Sequence, residues 1–276
     1  MSSTQAEVLG VRTSSQMSPY LEACCLHMSA NMSYENASKE VHFLTGICVS
    51  ASTQQRLVQG YEFAKPNVTA ESPLNEIAVD GGKVRLRTPR GEECCWRDYK
   101  AIATNRGIIA HYQDNVGLTD WTTAQPRLTP LTCLGDGHDG IWNIINEVAT
   151  APERREILDW YHLNENLQKI GGSLKRLNLA ESLLWQGKVD ETVILFDDLK
   201  SKQAQNFCKY LRKHQSRIVN YDYYQAEEIC SIGSGSVESG IKQISRRIKI
   251  SGAQWKAENV PQVLAHRTAY INGIIS

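Results

Sequence analysis

Residues 128–150 read LTPLTCLGDGHDGIWNIINEVAT, and the change of texture inside them decides the fold to expect. A short apolar run closes in Gly-Asp-Gly around Asp136, and the helix-like IWNIINEVAT follows. Strand, turn and helix in that order belong to an α/β sheet, which presents functional groups at the carboxyl ends of its strands. Asp136 stands at such an end. Its local chemistry also suits a plain strand-to-helix turn in which aspartate caps the helix. Asp139 is read as a cap for the helix starting near Ile141, which leaves Asp136 free.

Upstream, residues 75–88 (NEIAVDGGKVRLRT) are strand-like on either side of the DGG, and residues 94–105 and 107–114 follow at short spacing. Two or three antiparallel strands are expected. Asp80 interrupts the first of them; it is either a bulge or hairpin turn made by DGG, or an acid held on the sheet. Residues 62–73 (EFAKPNVTAESP) form a Pro-bearing polar link. Before it, residues 18–60 look helical. Two segments, 33–46 and 47–60, meet near Gly46, with Ser52 and Gln55 spaced as a capping box for the second. Such a pair fits a helix-turn-helix, though two simply packed helices are far commoner.

Downstream, residues 155–171 (REILDWYHLNENLQKIG) give a short strand around 157–160 running into a helix. Residues 173–228 are almost wholly helical. The chain then reads CSIGSGSVESGIKQISRRIKISGAQWK over residues 230–256. Glycine and serine argue against a regular element in its first ten residues. From Val237, apolar residues at 237, 241, 244 and 248 make one helical stripe, while Lys242, Arg246 and Lys249 fall elsewhere on the wheel. Glu238 lies in the first turn, where it suits the helix dipole and an ion pair with Lys242. It also supplies a third isolated acid beside Asp80 and Asp136. Hard divalent cations take oxygen ligands, so three carboxylates from distant segments can hold a metal pair.

The chain of 276 residues has a formal net charge of zero, which argues against an overwhelmingly basic nucleic-acid binder. The distribution is uneven. Residues 166–276 carry sixteen Lys and Arg against ten Asp and Glu, leaving that part at plus six and the rest at minus six. A basic C-terminal part faces phosphates or is simply solvated. The eight cysteines lack the spacing of a zinc site and are expected to be free thiols in a reducing compartment. Residues 1–17 lack a basic start and an apolar core, so no signal peptide is expected; nor is any run long enough to span a membrane. A cytoplasmic location follows.

Four motifs, AVDGGKVRLR, LGDGHDGIW, ILDWYHLNENL and IGSGSVESGIKQISRRIKISGAQW, in this order resemble the DDE transposases of bacterial insertion sequences. The likeness is to the ISKra group, itself similar to Mutator-like transposases, and runs from about residue 18 to the C-terminus. It implies an RNase H-like α/β core with an α-helical insertion before the last acid. The boundaries would be a helical region at 1–65, the first part of the core at 66–172, the insertion at 173–228 and the last part of the core at 229–276. Asp80, Asp136 and Glu238 match the metal-binding triad, implying two magnesium ions with manganese able to substitute. Asp159 and His162 match an acid-or-cysteine plus histidine pair, so that His162 is a supporting active-site or DNA-contacting residue. Lys242, Arg246, Arg247, Lys249 and Trp255 would lie where DNA passes.

The implied activity is cleavage and rejoining of DNA at the ends of the element, by a homodimer or higher oligomer near the nucleoid, with no membrane partner. Family members are commonly longer at the N-terminus. A shortened copy that binds or regulates DNA without cutting it is therefore the alternative, and a general RNase H-like nuclease a third.

Overall fold

The computed structural model describes residues 17–275, so the expectation about a signal peptide falls almost entirely outside the described residues. Among the described residues three helices come first: α1 (Pro19–Ser29), α2 (Tyr34–Thr45) and α3 (Ala51–Gly60). Ser18, Ser33 and Ser50 cap them, each accepting the backbone N–H three residues on. The cap of α3 is thus Ser50 and not Ser52; Ser50 has extended φ and ψ, whereas Ser52 lies inside the helix. The helices share a small core of Leu21, Cys25, Val41 and Val49.

Carbonyls at the C-terminal end of α1 meet three basic side chains from the other end of the chain. Arg247 Nε donates to Ser29 O at 2.7 Å, Arg267 Nη1 to Ala30 O at 2.9 Å, and His266 Nε2 lies 2.9 Å from Leu26 O. His266 also stacks on Phe63, with ring centroids 4.8 Å apart. Burial pushes its pKa down to about 3. The unfolded chain therefore takes this proton first as pH falls. The contribution to stability is complete above pH 6.5 and is lost on descent toward pH 3, on the order of 4 kcal/mol in full. Urea unfolding between pH 7 and pH 4 is expected to show a steeper fall in midpoint for the wild type than for His266→Gln, whose amide still reaches Leu26 O. Equal slopes would remove His266 as the source.

The chain then forms a five-stranded mixed sheet in the order β3-β2-β1-β4-β5. Its strands are β1 (Leu74–Leu86), β2 (Cys95–Thr104), β3 (Gly107–Tyr112), β4 (Arg127–Gly135) and β5 (Arg154–Leu158). The β1-β2 and β2-β3 pairs are antiparallel; β1-β4 and β4-β5 are parallel. The α/β class is as expected, but DGG is neither a bulge nor a turn. Asp80, Gly81 and Gly82 run through the unbroken β1-β2 ladder opposite Ala101, Lys100 and Tyr99. Glycine is needed because side chains of β2 lie across β1. A Cβ at Gly82 would sit 2.3 Å from the Tyr99 ring, and one at Gly81 2.9 Å from Lys100 Nζ.

Helix α4 (Asn115–Thr123) joins β3 to β4 and was not anticipated in the sequence; Asp114, read there as part of a strand run, caps it. Helix α5 (Asp139–Val148) follows β4. Its cap is His138, whose ring accepts from Gly140 N, so Asp139 is the first helical residue and pairs instead with Lys213.

After β5 come α6 (Trp160–Gln168), then the helical block: α7 (Leu174–Trp185), α8 (Val189–Ile194), α9 (Lys202–His214) and α10 (Tyr221–Ala226). Tyr221 anchors the block to the sheet: its hydroxyl donates to Leu158 O at 2.8 Å and its ring lies 5.0 Å from that of Trp160. Helix α11 (Gly235–Ile248) starts two residues before Val237, so part of the Gly/Ser stretch is helical. It lies against β1 and β2, and α12 (Val260–Ile271) lies against β3. Gly240 permits the close approach, since a Cβ there would stand 2.2 Å from Ile108 Cδ1. No helix among the described residues is long and apolar enough to cross a membrane. The eight cysteines are free.

Candidate active site

Register builds the site. Val79 faces Gly135 across β1-β4, and Gly135 faces Leu158 across β4-β5. The next residue in each case is an aspartate: Asp80 within β1, and Asp136 and Asp159 immediately past the ends of β4 and β5, in one register across the sheet. Their local environments then divide their roles.

Asp80 is half-buried, with Oδ1 accepting from Gly81 N at 2.6 Å. Burial pushes its pKa up, and the neighbouring Asp136 carboxylate adds to the rise; the Gly81 hydrogen bond, His162 and Lys100 act against it. Asp136 leaves β4 at its carboxyl end. Its Oδ1 accepts from His138 N at 2.8 Å, and its carbonyl accepts from Trp142 Nε1 at 2.7 Å. Asp136 therefore fixes the turn before α5 without capping the helix, whose cap is His138, and its carboxylate is near enough to Asp80 to raise that group's pKa.

Asp159 is fully buried and uses its carboxylate internally. Oδ1 accepts from His162 N at 2.8 Å and so caps α6, while Oδ2 accepts from both the backbone and the hydroxyl of Ser234. Ser234 immediately precedes α11. One carboxylate thereby fixes the starts of the two helices that carry His162 and Glu238. Gly233 fits this junction because a Cβ would enter the Tyr161 ring, 2.5 Å from Cδ2.

Glu238 is held from both sides. His162 Nε2 is 3.7 Å from Oε1 and Lys242 Nζ is 3.6 Å from Oε2. The anticipated Lys242 pair is thus present, and the site it borders contains Asp80, Asp136, His162 and Glu238. Among the described residues, no three His, Cys, Asp or Glu side chains are drawn together into a ready metal cluster. Carboxylates without a counter-charge between them repel.

Two participants escaped the sequence reading. Lys100 faces Gly81 on β2 and lies near enough to influence Asp80. Its signal would have been the register, which the sequence alone leaves open. Tyr210 on α9 packs its ring on Gly137, where a Cβ would be 2.2 Å from Cε2. Burial pushes the Tyr210 phenol up to about 12, with Asn166 offsetting part of the rise and Asp136 and Asp159 adding to it. Beside it, a cavity of about 340 Å³ opens between α6 and α9, lined by Asn166, Lys169, Gln203 and Phe207 among others.

The cationic face of α11 is narrower than expected. Lys242, Arg246 and Lys249 are exposed, but Arg247 is only 2% exposed and Trp255 is half-buried. Arg247 follows Ile244 by three residues and so lies on the buried stripe; this helical spacing was the available signal. Its guanidinium lies between the rings of Tyr34 and Trp255, 5.0 and 4.9 Å from their centroids. Arg247 is therefore not part of an exposed DNA-facing surface, while Trp255 keeps part of its ring accessible.

Compared with known proteins, the chain matches no family model and no curated protein.

Proposed function

We propose that the chain is a DNA transposase with an RNase H-like core, cleaving and joining strands at the ends of its own element through Asp80, Asp136 and Glu238. The observation that carries this reading is the parallel register that sets Asp80 beside Asp136, combined with a helix that brings Glu238 to the same end of the strands after an intervening helical block. The strand order β3-β2-β1-β4-β5 supports the core assignment.

The donor set fits hard divalent cations. All three acids offer oxygen, and the half-buried Asp80 lies where a cation would relieve its repulsion with Asp136. Two magnesium ions, or manganese in their place, when bound would supply activation of the attacking hydroxyl and stabilisation of the departing oxygen. The chain's own residues do the positioning. Asp80 is held from below by the sheet, Asp136 by the His138 amide, and Glu238 by His162 and Lys242. His162, 3.7 Å from Glu238, is placed to hold or move a proton at the carboxylate edge. Lys202, Lys209 and Arg212 are exposed on α9, and Lys169 lines the adjoining cavity, supporting a path for phosphates along this side. Two element ends must be brought together, so a homodimer or larger assembly on DNA belongs to the proposal.

A second reading, a DNA-binding or regulatory protein without catalysis, is favoured by the Lys242 ion pair on Glu238 Oε2 and by the His162 ring 3.7 Å from Oε1, which already occupy both oxygens. The two are separated by nicking of a labelled duplex carrying the flanking inverted repeat, with magnesium or manganese. Wild type is expected to nick at the repeat end and Glu238→Ala to bind without nicking. Specific binding with no nicking by either protein would select the second reading, and cutting regardless of the repeat would indicate a general nuclease.

A further inference from the structure

Away from the carboxylates, a cavity of about 390 Å³ lies where the N-terminal helices meet the loop after α11. Tyr34 and Gln55 line it from the helical region, Arg87 from the end of β1, and Arg247, Trp255 and Lys256 from the C-terminal part. The wall is built. Trp255 N donates to Arg85 O at 3.0 Å and Arg87 N to Trp255 O at 2.8 Å, so the loop extends the end of β1 as a short parallel bridge. Trp255 Nε1 closes back on Ile248 O at 2.9 Å.

The charge on this wall is one-sided: three cations and no carboxylate line it. Arg247 is the unusual member. A guanidinium removed from water is costly unless a counter-charge and hydrogen bonds compensate it. Arg247 has one carbonyl, Ser29 O, the neutral Tyr34 phenol and two aromatic faces but no carboxylate, and its Nη2 makes no hydrogen bond of normal geometry. Arg87 forms no ion pair among the described residues, and Lys256 reaches only the exposed Glu258, at 3.5 Å. The net positive charge of a wall that no carboxylate lines focuses a potential into the cavity that favours an anion.

We infer that this cavity binds a phosphoryl group, with Arg87 and Lys256 as the contacting cations at the rim and Arg247 as the buried charge behind them. The group is either a backbone phosphate of DNA or a free phosphate. The first source deepens the DNA reading above and rests on it; the second does not.

The test uses the full chain and the double variant Arg87→Gln with Lys256→Gln, both positions being exposed and free of backbone-anchoring side-chain bonds. Lys175→Gln with Lys188→Gln, exposed on the helical block, is the control of equal net charge. Anisotropy of a labelled duplex is measured against salt, and thermal unfolding against inorganic phosphate. If the group belongs to DNA, the rim variant loses about tenfold in duplex affinity and its salt slope falls by about two, while the control stays near wild type. If it is free phosphate, phosphate raises the Tm of wild type and control saturably but not that of the rim variant. Equal losses in rim variant and control, together with no phosphate-dependent shift in wild type, would overturn the inference. Failure of nicking with either effect intact would count against the transposase reading alone.

Discussion

Asp80→Asn and Asp136→Asn are each expected to lower metal-dependent nicking by about a thousandfold or more, roughly 4 kcal/mol of transition-state stabilisation, while leaving duplex affinity within a few-fold of wild type. The amide keeps the shape and the backbone hydrogen bond but loses the charge that a divalent cation needs. A further effect distinguishes Asp80→Asn from ordinary damage. Because burial and Asp136 raise the Asp80 pKa, the folded protein holds this proton more tightly than the unfolded chain. Its ionisation is thus unfavourable in the fold: the penalty is absent below the unfolded pKa and fully present above the raised one. Asp80→Asn is therefore expected to raise Tm at pH 7 without divalent cations, and the gain to disappear as pH falls below about 4. A variant inactive and more stable is the mark of a charge kept for function. One that is inactive and less stable would assign Asp80 to the sheet instead.

Asp159→Ala is expected to cost about 3 kcal/mol, because three donors, the N–H groups of His162 and Ser234 and the Ser234 hydroxyl, lose their acceptor in the interior. Nicking should fall as well, since the starts of α6 and α11 are no longer tied together and His162 and Glu238 drift apart. Urea unfolding and the duplex assay measure the two effects. Asp159→Asn should recover more stability than Ala by keeping one acceptor for the α6 cap. Loss of nicking by Asp159→Ala at undiminished stability would place Asp159 among the reacting groups and end its assignment as a positioning residue.

Much of the site could be seen in the chain before it was seen in space. Asp136 stood out because an apolar strand and a helix flank it, and Glu238 because it opens an amphipathic helix. Both observations depend on local periodicity, which residues within a turn or two dictate. Asp80 was ambiguous on the same grounds. DGG is common in turns, and only the Tyr99 and Lys100 side chains crossing β1 explain glycines in a continuous strand. Arg247 was put on the DNA-facing side by the family resemblance, whereas its helical spacing from Ile244 put it inside.

The amino-acid sequence by itself determined the α/β class, the strand ends that carry acids, the helical block and the exposed cations of α11, since each follows from near-neighbour patterning and backbone preference. Only the tertiary structure decided which acid is spent on structure. Asp80 within β1 and Asp136 and Asp159 just past β4 and β5 share one register, yet Asp159 alone meets the donors of Ser234, seventy-five positions away in the chain. It likewise decided that Arg247 faces Ser29, across 218 positions, and the ring of Tyr34. Burial and hydrogen-bond partners come from segments distant in sequence, and no local pattern encodes the pairing of those segments.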